Sequence, residues 1–463
     1  MYRLMVIAAL VGSACKAKDK PEGQIEEACA KAKSHGPLLW LEDDYPAALA
    51  CAKSKNLPLV VDLWAPWCHT CLSMQTTVFM DPSFKADALR FVFVAIDTDR
   101  EVNARVVDKL PLSAWPTFYV VAADETILAR FVGGASLSQF HAFLDAGAKA
   151  LGEVTGADQH LLAAERALAK NDLETADREL SGALASAPET WVRRPDALVS
   201  LLQTKSKRND TAGCLALANE AIERTGTSAS ATDFVGIGIE CADRMAKTDP
   251  STAAVFRERA MLRLQNLVDD PAAKLSIDDR SDAMVYLREV LQTVGRNPEA
   301  INLAHKQRLM LADAAAKAPN PKAAMTYNWH LAEVHVFLGL PLEAVPALEK
   351  SARDLPGEYD PPARLGWIYL KGGKLAEAAM WTDKAIGLAY GPRKARVLAQ
   401  RAEIAKAAGD AAAERTYREQ TVALWTSLPP GQANPGALAT AKAALAKLDA
   451  PPVPGTAGSG SAR

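Results

Sequence analysis

The sequence predicts an α/β domain, a mixed sheet flanked by helices, followed by an all-α solenoid. Three observations predict it. Four short apolar runs bounded by turn residues fall before residue 135 and alternate with helical patterns. From about residue 156 the strand-like runs vanish, alanine dominates, and helical segments are separated by short breaks. Within that second part a motif recurs at an offset of 34 residues.

The elements of the first part follow in order. Residues 24–35 and 45–55 read as helices. LPLVVDLW (57–64), bounded by Pro58 and Pro66, is a buried strand. Cys68 opens a helix running to about Phe79, and RFVFVAID (90–97) is a second buried strand. Residues 99–109 read as a helix. PTFYVVA (116–122) and TILARFVG (126–133) are strands joined at hairpin length by ADE. SLSQFHAFLDAGAKAL (136–151) is an amphipathic helix with Leu137, Phe140, Phe143 and Leu144 on one face. The domain spans 36–152.

A chain of 463 residues is long for one core, so two or more domains are expected. Hydrophobic content of 49% and charged content of 23% place it among ordinary globular proteins. A formal net charge of -2 gives no electrostatic case for a nucleic-acid partner. No stretch approaches the roughly 18 apolar residues of a spanning helix.

The N-terminus, MYRLMVIAALVGSACKAKDK, has Arg3 as a positive n-region, Leu4–Val11 as an apolar core and Gly12-Ser13-Ala14 as small residues. That is an export signal over 1–14. Cys15 follows directly, which resembles a bacterial lipoprotein signal. The resemblance implies a lipidated Cys15, a membrane anchor, and a periplasm-facing place in the bacterial envelope. Gly12 departs from the larger aliphatic usual there. Gly12 and Ala14 also suit ordinary cleavage, giving a soluble exported protein, and an uncleaved segment is a further reading. Residues 15–35 form a tether and an N-terminal helix, with Lys16–Gly23 the polar part.

In the second part, GLPLEA (339–344) and GKLAEA (373–378) lie 34 residues apart, preceded at the same offset by Leu331-Ala332 and Leu365-Gly366 and matched by His335 and Tyr369. GDAAAE (409–414) and NDLETA (171–176) open similar helices. The pattern resembles the tetratricopeptide repeat over 156–450; a generic alanine-rich helical bundle is the alternative. Each repeat would bury its apolar face on its neighbours, giving an elongated body with a concave surface. PPVPGTAGSGSAR (451–463) reads as a disordered tail.

Seven cysteines are present: Cys15, Cys29, Cys51, Cys68, Cys71, Cys214 and Cys241. If Cys15 carries lipid, the other six fall into three pairs. Cys214 and Cys241 bracket a turn, Arg224–Ser230, at equal height on a helix hairpin, so either a disulfide or two buried thiols fits. Cys29 and Cys51 could staple the N-terminal extension. Bridges of this loop length each contribute about 3 kcal/mol in an oxidising compartment.

Cys68 and Cys71 form a CxxC. Haem attachment needs CxxCH, and Leu72 follows Cys71. A zinc site needs about four ligands. No second CxxC exists, and His69, lying between the cysteines, is not placed to share their metal, so no metal site is expected. A purely structural CxxC bridge would be small and strained. The redox reading fits the context. At a helix N-terminus the first sulfur meets unpaired N–H groups and the positive end of the dipole, which stabilise the thiolate. Cys68 is then the attacking sulfur and Cys71 the resolving one, with their disulfide the only redox cofactor. A protonated His69 would add to this; an exposed helix-start histidine is the plainer reading. Asp62, in an apolar strand, would have a raised pKa if buried and could exchange a proton with Cys71; a water-facing Asp is the alternative.

Residues 56–150 resemble a thioredoxin-fold domain. VDLWAPWCHTC matches that family's apolar strand, Asp, aromatic-Ala-x-Trp and CxxC. WPT (115–117) matches the loop whose proline is cis and faces the dithiol, which gives Pro116 that role. FVGGAS (131–136) matches the glycine segment before the last helix and points to Gly133 or Gly134. The resemblance implies a peptide-facing groove of Trp67, His69, Thr70, Trp115, Gly133 and Gly134. His-Thr replaces the Gly-Pro of thioredoxins, Leu72 replaces a lysine, and Phe93 stands where thioredoxins carry a lysine. The lead WLEDDYPAALACAKSKNLPLVVDLWAPWCHTC and TTVFMDPSF are more similar to the periplasmic C-terminal domain of transmembrane thiol–disulfide interchange proteins. That likeness implies an oxidoreductase role, with disulfide-containing exported proteins as clients and a membrane protein as electron donor.

Two function classes follow. One is an exported thiol–disulfide oxidoreductase whose helical repeats bind clients or partners near the dithiol. The other is a repeat scaffold lipoprotein carrying an inactive thioredoxin-like module.

Overall fold

The computed structural model describes residues 29–449. The signal segment, Cys15 and the tail at 451–463 lie outside the described residues. So do residues 24–28 of the helix expected at 24–35, whose described remainder takes a different form. Helical residues reach only Ala30 before a strand, β1 (Lys33–His35), pairs antiparallel with β2 (Leu38–Glu42). The turn between them is Gly36, at φ +59°, where a Cβ would lie 2.9 Å from the Phe79 carbonyl oxygen. Tertiary pairing overrides the helical pattern here: β2 lies parallel beside the strand at 92–97, Trp40 opposite Phe93, and Trp40 packs between Phe79 and Phe93.

The remaining strands are β3 (Leu59–Trp64), β4 (Val92–Asp97), β5 (Thr117–Val121) and β6 (Ile127–Val132), in the spatial order β1-β2-β4-β3-β5-β6. β2, β4 and β3 run parallel; β5 and β6 are antiparallel to their neighbours. Both faces are buried, which explains runs that are apolar throughout. Val60, Phe93, Phe118 and Val120 share one face with Phe140 and Phe143 of α4 (Leu137–Lys149). Leu59, Val61, Val94 and Tyr119 share the other with α1 (Tyr45–Lys55) and Val106 of α3 (Ala104–Lys109). Alternation along each strand makes the two cores.

Helix α2 spans His69–Thr76, shorter than expected, and breaks into a 3-10 turn at Val78–Met80. The helix expected at 99–109 likewise begins as a 3-10 turn, Glu101–Asn103, ahead of α3. A capping box starts α4: Ser136 accepts from the Gln139 amide while the Gln139 side chain accepts from Ser136.

From Gly156 the chain is helical. Seven successive pairs follow among the described residues: 156–169/173–186, 194–207/211–221, 229–245/250–269, 277–293/297–317, 328–337/345–354, 360–371/375–388 and 391–407/411–427. Leu331 and Leu365, one 34-residue offset apart, are both buried. Gly366 shows why small residues recur: a Cβ there would stand 2.1 Å from the Thr382 hydroxyl of the paired helix. The Cys214 and Cys241 sulfurs are bonded across the second and third pairs, and Cys29 is bonded to Cys51 of α1. Among the described residues no helix is long and apolar enough to cross a membrane.

The sequence suggests an elongated array with a concave surface. In the structure the chain's own α/β domain makes contacts along the length of the array. Arg166 donates to the Ile127 carbonyl (3.0 Å), Gln139 to Ser230 (2.8 Å), Ser73 to Ser276 (3.1 Å), and Gln432 to the Thr98 carbonyl (2.9 Å). The contacts run from the first helix pair to beyond the last, so the domain is held along the length of the array.

Candidate active site at the domain–array boundary

Cys68 is the N-cap of α2, the first backbone position beyond the end of β3 and its Pro66-Trp67 turn. Its sulfur is bonded to that of Cys71 and accepts from the Cys71 amide at 3.0 Å. Both cysteines are buried, Cys68 with 4% and Cys71 with 1% of its surface exposed. Ala65, Trp64, Trp67 and Trp115 pack around them. The Trp67 and Trp115 rings meet edge to face at 5.0 Å. Trp115 precedes Pro116 through a cis peptide bond, and the Pro116 carbonyl accepts from the Gly133 amide at 2.9 Å.

Asp62 sits in the middle of β3 between Ala95 and Phe118, with one carboxylate oxygen unpaired. Burial pushes its pKa up to about 8. It lines a cavity of about 380 Å³ shared with Trp40, Trp64, Lys322, Tyr359 and Tyr390. Phe93, where a lysine would stand in thioredoxins, is packed in the core and supplies no counter-charge.

The array covers the dithiol. His69 Nδ1 lies 2.9 Å from an Asp278 carboxylate oxygen, and its ring meets His330 edge to face at 4.5 Å. Burial alone disfavours the His69 imidazolium, but Asp278 and Asp282 outweigh it and raise its pKa to about 9. Arg364 donates to the Trp67 carbonyl at 3.4 Å, and Arg393 lies over the Trp67 ring at 5.3 Å. Trp67 Nε1 donates to Asp99 (2.8 Å), and the Tyr359 hydroxyl donates to the same oxygen (3.0 Å). Tyr390 donates to Asp97.

Thr70, Trp115, Gly133 and Gly134 line a second cavity of about 190 Å³, closed on the far side by Asp233, Asp279, Asp282 and Tyr286 of the array. The two glycines are required by that closure. At Gly133 (φ +87°) a Cβ would stand 2.7 Å from Asp233 Oδ2; at Gly134 it would stand 3.0 Å from Asp279 Oδ1.

The structure therefore gathers Cys68, Cys71, Trp67, His69, Thr70, Trp115, Pro116, Gly133 and Gly134 about one place, with Asp62 in the strand leading to it. Cys29–Cys51 and Cys214–Cys241 lie in other clusters. The groove expected to face a client faces the array instead. Sequence reading missed Asp278, Asp282, His330, Asp99, Tyr359 and Tyr390. The signals were faint: an i, i+4 acid pair in SIDDRSDA and DTD at a strand end. The cysteine count that argued against a metal said nothing of these side chains, and His69, Asp278, Asp282 and His330 each place a ligand atom within 4.8 Å of the others.

A family model described as thioredoxin-like matches residues 40–123. No curated protein matches the chain. Similar solved structures include a tetratricopeptide repeat protein from Parabacteroides merdae, at 12% identity and TM-score 0.41, covering 64% of this chain and 99% of that one. A thermophilic TPR protein from Thermus thermophilus has 19% identity and TM-score 0.30, covering 46% and 99%. Pseudomonas aeruginosa pilF has 16% identity and TM-score 0.28, covering 54% and 96%. The segment 40–123, with its CxxC at the N-terminus of α2, matches a thioredoxin-like domain and is followed in the same chain by seven successive helix pairs.

Proposed function

We propose that this protein is an exported thiol–disulfide oxidoreductase of the bacterial envelope, held at the membrane by a lipid on Cys15. The observation that carries the reading is the bonded Cys68–Cys71 pair at the start of α2, packed against Trp67 and Trp115, with a buried Asp62 in the preceding strand. In the reduced enzyme the Cys68 thiolate attacks one sulfur of a substrate disulfide. The S–S bond breaks, a mixed disulfide forms, and one substrate thiolate leaves. Cys71 then gives its proton to the Asp62 carboxylate and attacks Cys68, releasing the second substrate thiol and closing the Cys68–Cys71 disulfide. Two electrons pass to the substrate, and a membrane dithiol protein restores them. The helix N-terminus favours the Cys68 thiolate, and positive charge held at His69 adds to it.

Burial of the dithiol favours a second reading, in which the domain is a structural part of a protein-binding array. Equilibration with glutathione buffers of graded potential, followed by alkylation and mass spectrometry of Cys68 and Cys71, separates the two. Reversible exchange with a defined midpoint supports the enzyme, and a low midpoint marks a reductase. A pair that stays oxidised at every poise, with envelope function retained in Cys68→Ser, supports the scaffold.

A further inference from the structure

We propose that His69, Asp278, Asp282 and His330 bind one divalent transition-metal ion of the zinc type, fastening the array to the dithiol helix. Three elements supply the ligands. His69 is the first residue of α2. Asp278 and Asp282 lie one turn apart on the first two turns of the helix Ile277–Thr293, so their carboxylates share a face. His330 comes from the helix Asn328–Phe337.

The geometry is that of a collapsed four-ligand cage. Asp278 is shared, with one oxygen 2.9 Å from His69 Nδ1 and the other 3.5 Å from His330 Nε2. Asp282 stands 3.4 Å from the same His330 nitrogen. One ligand atom from each of the four residues lies within 4.8 Å of the others, so a small rearrangement of side chains brings all four to bonds near 2.0–2.1 Å from one ion.

The independent observation is His330. It is 1% exposed, yet neither ring nitrogen has a hydrogen-bond partner, and the Asp278 oxygen facing it is also unpaired. A buried imidazole with no partner on either nitrogen carries the desolvation cost of each unmet group. An ion at Nε2 satisfies that nitrogen and the orphaned carboxylate oxygen together.

Charge and ligand type set the ion. Four carboxylates, Asp233, Asp278, Asp279 and Asp282, are gathered here, with Arg288 and Arg364 the neighbouring guanidinium groups. A dication balances the two that ligate. Two imidazoles with two carboxylates suit zinc-like ions, whereas calcium and magnesium take six or more oxygens or keep much of their water. The cavity beside Thr70 and Asp282 gives an ion a wet approach. The cysteines take no part, being bonded to each other. The site therefore exists only while the array is seated on α2. This does not depend on the redox reading.

The test uses the full chain, stripped with a chelator and with its disulfides intact, so that no thiolate can ligate. Co2+ is the probe. The expected result is one equivalent bound, with the visible d–d absorption of four-coordinate cobalt, no sulfur-to-cobalt charge-transfer band, and displacement by Zn2+. His330→Ala, and separately the more exposed Asp282→Asn, should weaken binding by about 100-fold or more, beyond what loss of a residue that merely orients a ligand costs. Circular dichroism confirms that each variant is folded. The proposal is overturned by no stoichiometric binding at about 100-fold excess of free Co2+ over a micromolar dissociation constant, or by equal affinity in wild type and the folded Asp282→Asn variant.

Discussion

His69 Nδ1 and Asp278 Oδ2 are 2.9 Å apart, although 209 residues separate them in the chain. One lies between the two cysteines; the other belongs to the helical array. Their contact makes the charge state of the dithiol helix depend on a distant element. His69→Ala removes a cation beside the Cys68 sulfur. In chelator-treated, reduced protein we expect the Cys68 pKa to rise by about 1 unit, followed as thiolate absorbance against pH. An unchanged titration would show that Asp278 already cancels the imidazolium.

Asp62 gives a pH signature. Its folded pKa, about 8, lies above the ordinary carboxylate value, so its contribution is complete below pH 4 and is lost as pH rises towards 8. Over that window the folded state holds a proton that the unfolded state has released. Asp62→Asn, which stays neutral, should therefore gain stability relative to wild type as pH rises. The ideal slope is about 1.4 kcal/mol per pH unit. Denaturant midpoints at pH 5, 7 and 9 would measure it, and parallel curves would place the Asp62 pKa in the normal range. The same substitution should slow release of the mixed disulfide.

The cover over the dithiol can be wedged. Gly391, at φ +52°, opens an array helix against the Asp99 loop, and a Cβ there would stand 2.0 Å from the Asp99 carbonyl oxygen. Gly391→Ala should strain that seam by about 1.4 kcal/mol. Reduction of Cys68–Cys71 by a phosphine should then run about tenfold faster, read by mass spectrometry of those two residues. An unaltered rate would mean that reductant reaches the sulfurs by another route.

Cys214 and Cys241 cross-link two helix pairs with 27 residues of separation. Their joint replacement by alanine should cost about 3–4 kcal/mol and lower the thermal midpoint of the array. A midpoint equal to wild type would mean that the bridge constrains nothing the helices do not already hold.

Much of this architecture is legible locally. β3, β4, β5 and β6 announce themselves because strands buried on both faces are apolar throughout. The candidate site is legible because a CxxC after such a strand has few chemical uses. The helix pairs at 34-residue offset are legible through small residues such as Gly366, which mark close helix contacts. β1 and β2 were hidden because KSHGPLLWLE has no clear period of its own; Trp40 becomes a strand residue by lying beside Phe93 and Phe79.

The fold of each part and the place of the CxxC at the start of a helix are legible in the chain itself. These are properties of short segments, set by side-chain period, turn residues and the reach of a single helix turn. Only the tertiary structure decided what the dithiol faces. Asp278 and Asp282 carry only the faint mark of an i, i+4 acid pair, and His330, Tyr359 and Gly391 carry none, because each becomes meaningful only when the array folds back on α2 and the Asp99 loop. Contacts between residues hundreds of positions apart depend on how every intervening helix pair packs, and no period in the chain encodes that sum.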